Sequence, residues 1–179
     1  MAISKKIFLL ILILFLVPAS AFSKDLVLNN TPVQVYFSPD GGCQQAIINQ
    51  INMAKSEILV QAYSFTSAPI AKALIEAFKR GVKVEAILDR SQKKERYTSA
   101  TFLSNSRVPT FIDSKQAIAH NKIMIIDKET VITGSFNFTK AAEEKNAENL
   151  LIIKSKDLSK IYIDNWEMHK GHSEAYIFY

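Results

Sequence analysis

Hydrophobic positions along this chain follow two periods in turn. PVQVYF (32–37), SEILVQAYSF (56–65), VKVEAILD (82–89) and ENLLIIKS (148–155) are short apolar or alternating runs rich in residues that suit a pleated surface, so each predicts a strand. CQQAIINQINMAK (43–55) instead places Ala46, Ile47, Ile51 and Ala54 near helical spacing. The segment before it, SPDGG, is a turn broken by Pro39, Gly41 and Gly42. APIAKALIEAFKR (68–80) predicts a second helix, with Ser67 as its cap and Gly81 as its stop. The strand–helix–strand order over 56–89 implies parallel strands and a right-handed crossover.

Beyond residue 90 the pattern loosens and then sharpens. SQKKERYTSATFLSNSR (91–107) is polar and charged and predicts a helix or a loop. VPTFI (108–112) reads as a short strand. HNKIMIID (120–127) and ETVITGSF (129–136) predict two strands joined by a tight turn around Lys128 and Glu129. LSKIYIDNWEMHK (158–170) closes the chain as an amphipathic helix. The expected architecture is one α/β domain, a mixed, largely parallel β-sheet flanked by helices on both faces.

The first residues stand apart. Lys5 and Lys6 precede an unbroken apolar run from Ile7 to Val17, and Ala19-Ser20-Ala21 offers an A-x-A cleavage site. The run is well short of the roughly 20 residues needed to span a bilayer. Residues 1–21 are therefore expected to be a signal peptide and 22–179 the mature domain, exported to the periplasm or beyond, with membrane association not required. Removing 1–21 takes away two lysines and no acids, so the net charge falls from +5 to +3. This mild excess fits a polyanionic partner without proving one. Cys43 is the only cysteine, so no internal disulfide is available, and it reads as a small buried residue at a helix start.

The candidate chemistry is concentrated in 119–152. His120, Lys122 and Asp127 stand in an H-x-K-x-x-x-x-D pattern, Ser135 and Asn137 follow in GSFNFT, and Glu148 comes after them. In a strand, His120 and Lys122 share a face, while Asp127 points the other way. Asp127 is thus expected to tie down the turn rather than meet a substrate. Ser135 and Asn137 alternate onto one face, with Phe136 and Phe138 packing into the core on the other. Gly134, lacking a Cβ, would let backbone approach a ligand. Lys122, Ser135 and Asn137 are donors suited to a phosphate whose charge grows during reaction. His120 is the candidate nucleophile, and it needs a partner to hold its second ring nitrogen. Glu143 and Glu144 are expected on a solvated helical turn.

This constellation resembles the phospholipase D superfamily and its HKD motif, and in particular the small exported EDTA-resistant bacterial endonucleases of that superfamily. The resemblance runs from VQAYSFTSAPIAKALIEAFKRGVKVEAILDR through VPTFIDSKQAIAHNK to GSFNFT and fades in the C-terminal helix. It implies a two-step hydrolysis through a phosphohistidine on His120, with Glu148 in the acidic position that orients it. It implies no cofactor and no metal. The motif occurs once, and in-line displacement needs a second histidine opposite the first. A homodimer that pairs two copies of His120 across a two-fold axis satisfies this. Its interface is expected to include the loops after Ile118 and around 134–139.

Other readings remain. His169 and His172 could supply the second histidine, but neither has a lysine two residues on. With Glu167 or Glu174 they could hold zinc, although surface histidines usually bind nothing. The expected partner is nucleic acid, DNA and in particular single-stranded DNA, with RNA open. Lys93, Lys94, Arg96 and Tyr97 would form a basic rim with an aromatic for stacking. A phospholipid head group is the alternative substrate. A non-catalytic nucleic-acid-binding protein is the alternative from another class, and it has no need of the set His120, Lys122, Asn137 and Glu148.

Overall fold

The computed structural model describes residues 23–93 and 98–177. The expected signal peptide, and Lys94, Arg96 and Tyr97 of the expected rim, lie outside the described residues. The strands are β1 (Val33–Ser38), β2 (Glu57–Ala62), β3 (Lys83–Asp89), β4 (Thr110–Asp113), β5 (Lys122–Ile126), β6 (Thr130–Gly134), β7 (Glu148–Lys154) and β8 (Glu174–Ala175). The helices are α1 (Cys43–Met53), α2 (Ala68–Lys79), α3 (Ser99–Asn105), α4 (Lys140–Glu144) and α5 (Lys156–Lys170), with a 3₁₀ turn at Arg90–Lys93.

One sheet of eight strands runs in the order β1-β7-β6-β5-β2-β3-β4-β8. It is mixed, with helices on both faces, as the sequence pattern predicts. Parallel pairing is narrower than expected. Only β2–β3 and β3–β4 are parallel, and the other pairs are antiparallel. The reason is connection length. Parallel neighbours need a long crossover, which α2 and α3 supply, whereas β5 and β6 are joined by a turn of three residues. The two-residue strand β8 pairs with β4 and carries no periodic signal of its own.

Period two explains the layers. Ile58, Val60, Val84, Met124, Ile132 and Ile152 face α1 and α2, forming the larger core. Leu59, Ile87, Ile123 and Ile125 point the opposite way and pack on Trp166 of α5. The Trp166 indole N–H donates to the Val60 carbonyl at 2.9 Å. Ser67 caps α2 by accepting from the Ile70 amide, and Gly81 follows its end at φ 90°. Cys43, fully buried, opens α1, and burial pushes its thiol pKa up, with Glu143 adding to the effect. Among the described residues no helix is long and apolar enough to cross a membrane.

Candidate active site

Register fixes where the motif lies. Lys122 opens β5 opposite Ala62, the last residue of β2. Ala62 itself pairs with Leu88, and Asp89 pairs with Asp113. His120 and Lys122 therefore sit at the carboxyl edge of the parallel strands, a common place for ligands in such sheets.

Lys122 is 7% exposed, yet its Nζ reaches back to the His120 carbonyl at 3.0 Å. Burial holds its pKa below the ordinary lysine value, and the Glu148 carboxylate partly opposes this. The His120 ring is exposed and packs against Tyr63, with centroids 4.6 Å apart and a tilt of 55°. The same Tyr63 ring lies 5.2 Å from the Lys122 ammonium. Tyr63 thus braces both groups. In the sequence it reads as one more strand aromatic.

The backbone leading into His120 is held by Asp89. This carboxylate is 2% exposed and accepts from the Ala119 amide at 2.7 Å and the Ser91 amide at 2.8 Å. Asp113, fully buried on the neighbouring strand, accepts from the Lys115 amide at 3.0 Å. Two carboxylates from adjacent strand ends thereby pin both ends of the irregular segment between β4 and His120.

Ser135, Asn137 and Glu148 come from β6, the segment after it and β7. Phe136 and Phe138 are fully buried, which fixes the alternation of their neighbours. Ser135 Oγ accepts from the Asn149 amide at 3.0 Å and from Asn149 Nδ2 at 3.2 Å. Its own O–H is left available to donate. Asn137 Oδ1 is buried with no partner among the described residues. A buried amide without a partner is costly unless something else completes it. Glu148 accepts from Asn146 Nδ2 at 3.2 Å.

Several expectations are corrected here. No hydrogen bond joins Glu148 to His120 within one chain among the described residues. Glu148 lies on β7, two strands from β5, about 10 Å across the sheet. The space at Gly134 is taken by β7 rather than left for a ligand. Its φ is 149°, and a Cβ there would collide with the Asn149 carbonyl. Glu143 is not simply solvated. It accepts from the Gln44 amide at 2.8 Å and caps α1, whose N-cap residue Gly42 has no side chain to do so. Glu144 does face solvent, paired with Lys140 at 3.4 Å.

Asp127 lies at the far end of β5, about 17 Å of strand from Lys122. Its carboxylate accepts from the Lys55, Ser56 and Glu57 amides and the Ser56 hydroxyl, at 2.7–3.2 Å. Burial pushes its pKa up, but these donors prevail and hold it below the usual carboxylate value. The motif's aspartate ties the α1–β2 connection to the β5–β6 turn.

His169 and His172 are not surface groups free to act elsewhere. His169 is 8% exposed, and its Nδ1 meets Asp113 at 2.7 Å. His172 Nε2 lies 3.3 Å from the same carboxylate. Burial raises the Asp113 pKa, but His169, the Lys115 amide and His172 together hold it low. The donor atoms of Asp113, His169 and His172 lie within 4.8 Å of one another and could hold a metal. The carboxylate there is Asp113, and not Glu167 or Glu174. Glu174 pairs with Lys93 at 3.6 Å, which also ties down that member of the expected rim. Asp113 lies on β4, three strands from β5, so the pair is about 14 Å of sheet from Lys122.

Known proteins resemble this chain in sequence and in fold. A family model described as "Cardiolipin synthase, PLD-like domain" matches residues 47–169. A protein named phospholipase D from Rickettsia conorii is 46% identical over 144 residues, which is 80% of this chain and 72% of that one. The crystal structure of Nuc from Salmonella typhimurium, described as a phospholipase D family member, matches with a TM-score of 0.80. It is 38% identical, over 83% of this chain and 99% of that chain. NucT from Helicobacter pylori shares the fold, with a TM-score of 0.74 and 22% identity over 82% of this chain and 99% of its own. The chain belongs to the phospholipase D superfamily, whose members hydrolyse phosphodiester bonds.

Proposed function

We propose that this protein is an exported, metal-independent phosphodiesterase that cleaves DNA through a phosphohistidine on His120, working as a homodimer. The observation that carries the reading is an exposed histidine and a buried lysine converging at one sheet edge, once per chain. A ring nitrogen of His120 attacks phosphorus and the P–O bond to the leaving group breaks. A second histidine gives its proton to that oxygen. The second histidine then takes a proton from water, the resulting hydroxide attacks phosphorus, and the P–N bond breaks. Lys122, Asn137 and Ser135 stabilise the phosphorane charge, and Glu148 supports the positive charge of the site. His169 and His172 are committed to Asp113, so the partner's copy of His120 is the suitable second histidine.

The net positive charge of the chain and the likeness to Nuc support nucleic acid as substrate. The name of the Rickettsia relative favours a second reading, hydrolysis of a phospholipid head group. One assay separates them. The protein is incubated in excess EDTA with plasmid, with single-stranded DNA and with phosphatidylcholine vesicles. DNA cleavage without release of choline is the expected result. Choline release alone, or activity that returns only with added Mg²⁺ or Zn²⁺, overturns the proposal.

A further inference from the structure

Three chain segments leave or approach the sheet beside His120, and a cavity of about 480 Å³ opens between them. Tyr63 follows β2, Arg90 and Ser91 follow β3, and Ala117 and Ile118 precede His120. The cavity therefore lies just outside the carboxyl ends of adjacent parallel strands, where the backbone diverges and ligands commonly bind. Its volume falls within the usual range for small-ligand sites, about 300–1,000 Å³.

The lining has a definite chemical character. Asp89 forms part of the wall, but both of its oxygens are taken by backbone amides. Arg90 is exposed and its guanidinium has no hydrogen-bond or ion-pair partner among the described residues. Ile118 is 57% exposed and adds apolar surface to the cavity wall. The Tyr63 ring is half-buried and touches both the cavity and the His120 ring. The cavity thus leaves room, past Tyr63, for one of the two substituents of a phosphodiester at His120.

An occupant must offer a flat apolar body and negative charge. A nucleoside with its adjoining phosphate offers both. Tyr63 and Ile118 present apolar surface to a base, and Arg90 presents a planar cation to a phosphate. A choline or ethanolamine head group fits poorly. Arg90 and Lys122, whose ammonium lies 5.2 Å from the Tyr63 ring, both repel its cation. We infer that the cavity bounded by Tyr63, Arg90 and Ile118 is a nucleotide subsite that seats the nucleoside next to the scissile phosphate. The inference rests on His120 being the reacting group.

The test uses the mature protein and two substrates, a fluorogenic single-stranded oligonucleotide and bis(p-nitrophenyl) phosphate, which has no nucleoside. Arg90→Ala and Ile118→Asp alter exposed side chains, and comparing the two substrates on the same preparation cancels any effect of Ile118→Asp on the dimer interface it borders. Each is expected to lower kcat/KM on the oligonucleotide, relative to that on bis(p-nitrophenyl) phosphate, by about tenfold. Arg90→Ala is also expected to reduce the salt dependence of oligonucleotide binding by slightly less than one unit of slope. An unaltered ratio of the two activities in both variants overturns the subsite. If the unmodified protein hydrolyses neither substrate, the phosphodiesterase reading fails first. Anisotropy of a labelled oligonucleotide then decides the subsite separately, and binding that is indifferent to Arg90→Ala and Ile118→Asp overturns it.

Discussion

Replacing Asp127 with asparagine separates structure from chemistry in the H-x-K-x-x-x-x-D motif. Asp127 sits at φ 53°, a conformation that asparagine tolerates as well as aspartate, so the change tests the carboxylate and not the backbone. The carboxylate serves three amides and one hydroxyl of residues 55–57. A hydrogen bond to a charged group contributes about 1.5–3 kcal/mol. The amide oxygen of asparagine retains some of these bonds, and water reaches the rest because the site is half-exposed. The net loss is therefore set at about the value of one such bond, about 1.5–3 kcal/mol. For a domain of this size each kcal/mol moves Tm by about 2–4 °C, so a fall of about 3–12 °C is expected. The carboxyl pKa is held low in the folded state, so its contribution is present above the unfolded carboxylate pKa of about 3.9 and is lost as pH falls through the folded value. The Tm gap between the two proteins should accordingly be full at pH 7 and close in strong acid. Differential scanning calorimetry across pH, beside kcat on the same preparations, checks both. A kcat lowered a hundredfold with Tm unmoved would refute the structural assignment.

Four further outcomes follow from the site. His120→Ala should abolish turnover with little change in Tm, and mass spectrometry of the trapped intermediate should place phosphorus on His120 in the unmodified protein; phosphorus on His172 would contradict this. Mixing unmodified subunits with excess His120→Ala subunits should lower activity as the square of the unmodified fraction, whereas a linear fall would mean that each chain works alone. Burial lowers the Lys122 pKa and Glu148 opposes that, so the alkaline limb of kcat/KM should lie below the ordinary lysine range and move lower still in Glu148→Gln; a limb indifferent to Glu148→Gln would count against the coupling. Gly134→Ala should cost several degrees of Tm through a collision with the Asn149 carbonyl, measured by thermal unfolding, and a neutral result would count against the close approach of β6 and β7.

What could be read from the sequence divides along the distance between interacting residues. The strands were legible because period two is local, and so was the shared face of His120 and Lys122. The pairing of Phe136 and Phe138 into the core followed from the same alternation. Parallel and antiparallel pairing was harder, because the pattern of one strand does not name its neighbour. Gly134 illustrates the limit. Its lack of a Cβ is consistent with approach by a ligand, but the approaching group is the backbone of Asn149, and only the β6–β7 register reveals it.

The supports of the site follow one physical rule that no local pattern displays. Asp89, Asp113, Asp127 and Glu143 each accept from a backbone amide of a loop or helix end. Such amides lack strand or helix partners, and leaving them unpaired is costly. For three of the four, the amide lies in a segment remote along the chain. Asp89 reaches Ala119, Asp127 reaches Ser56 and Glu143 reaches Gln44, separations of 30, 71 and 99 residues. In sequence Asp89, Asp113 and Glu143 look like ordinary solvated charges, and Asp127 alone is marked, by its place at the end of β5. The reacting groups cluster in one stretch because two strands can present them, whereas the groups that hold that stretch in place must come from elsewhere. His120 can therefore be found from its neighbours in sequence, but the rigidity of its position depends on Asp89, at the end of a different strand.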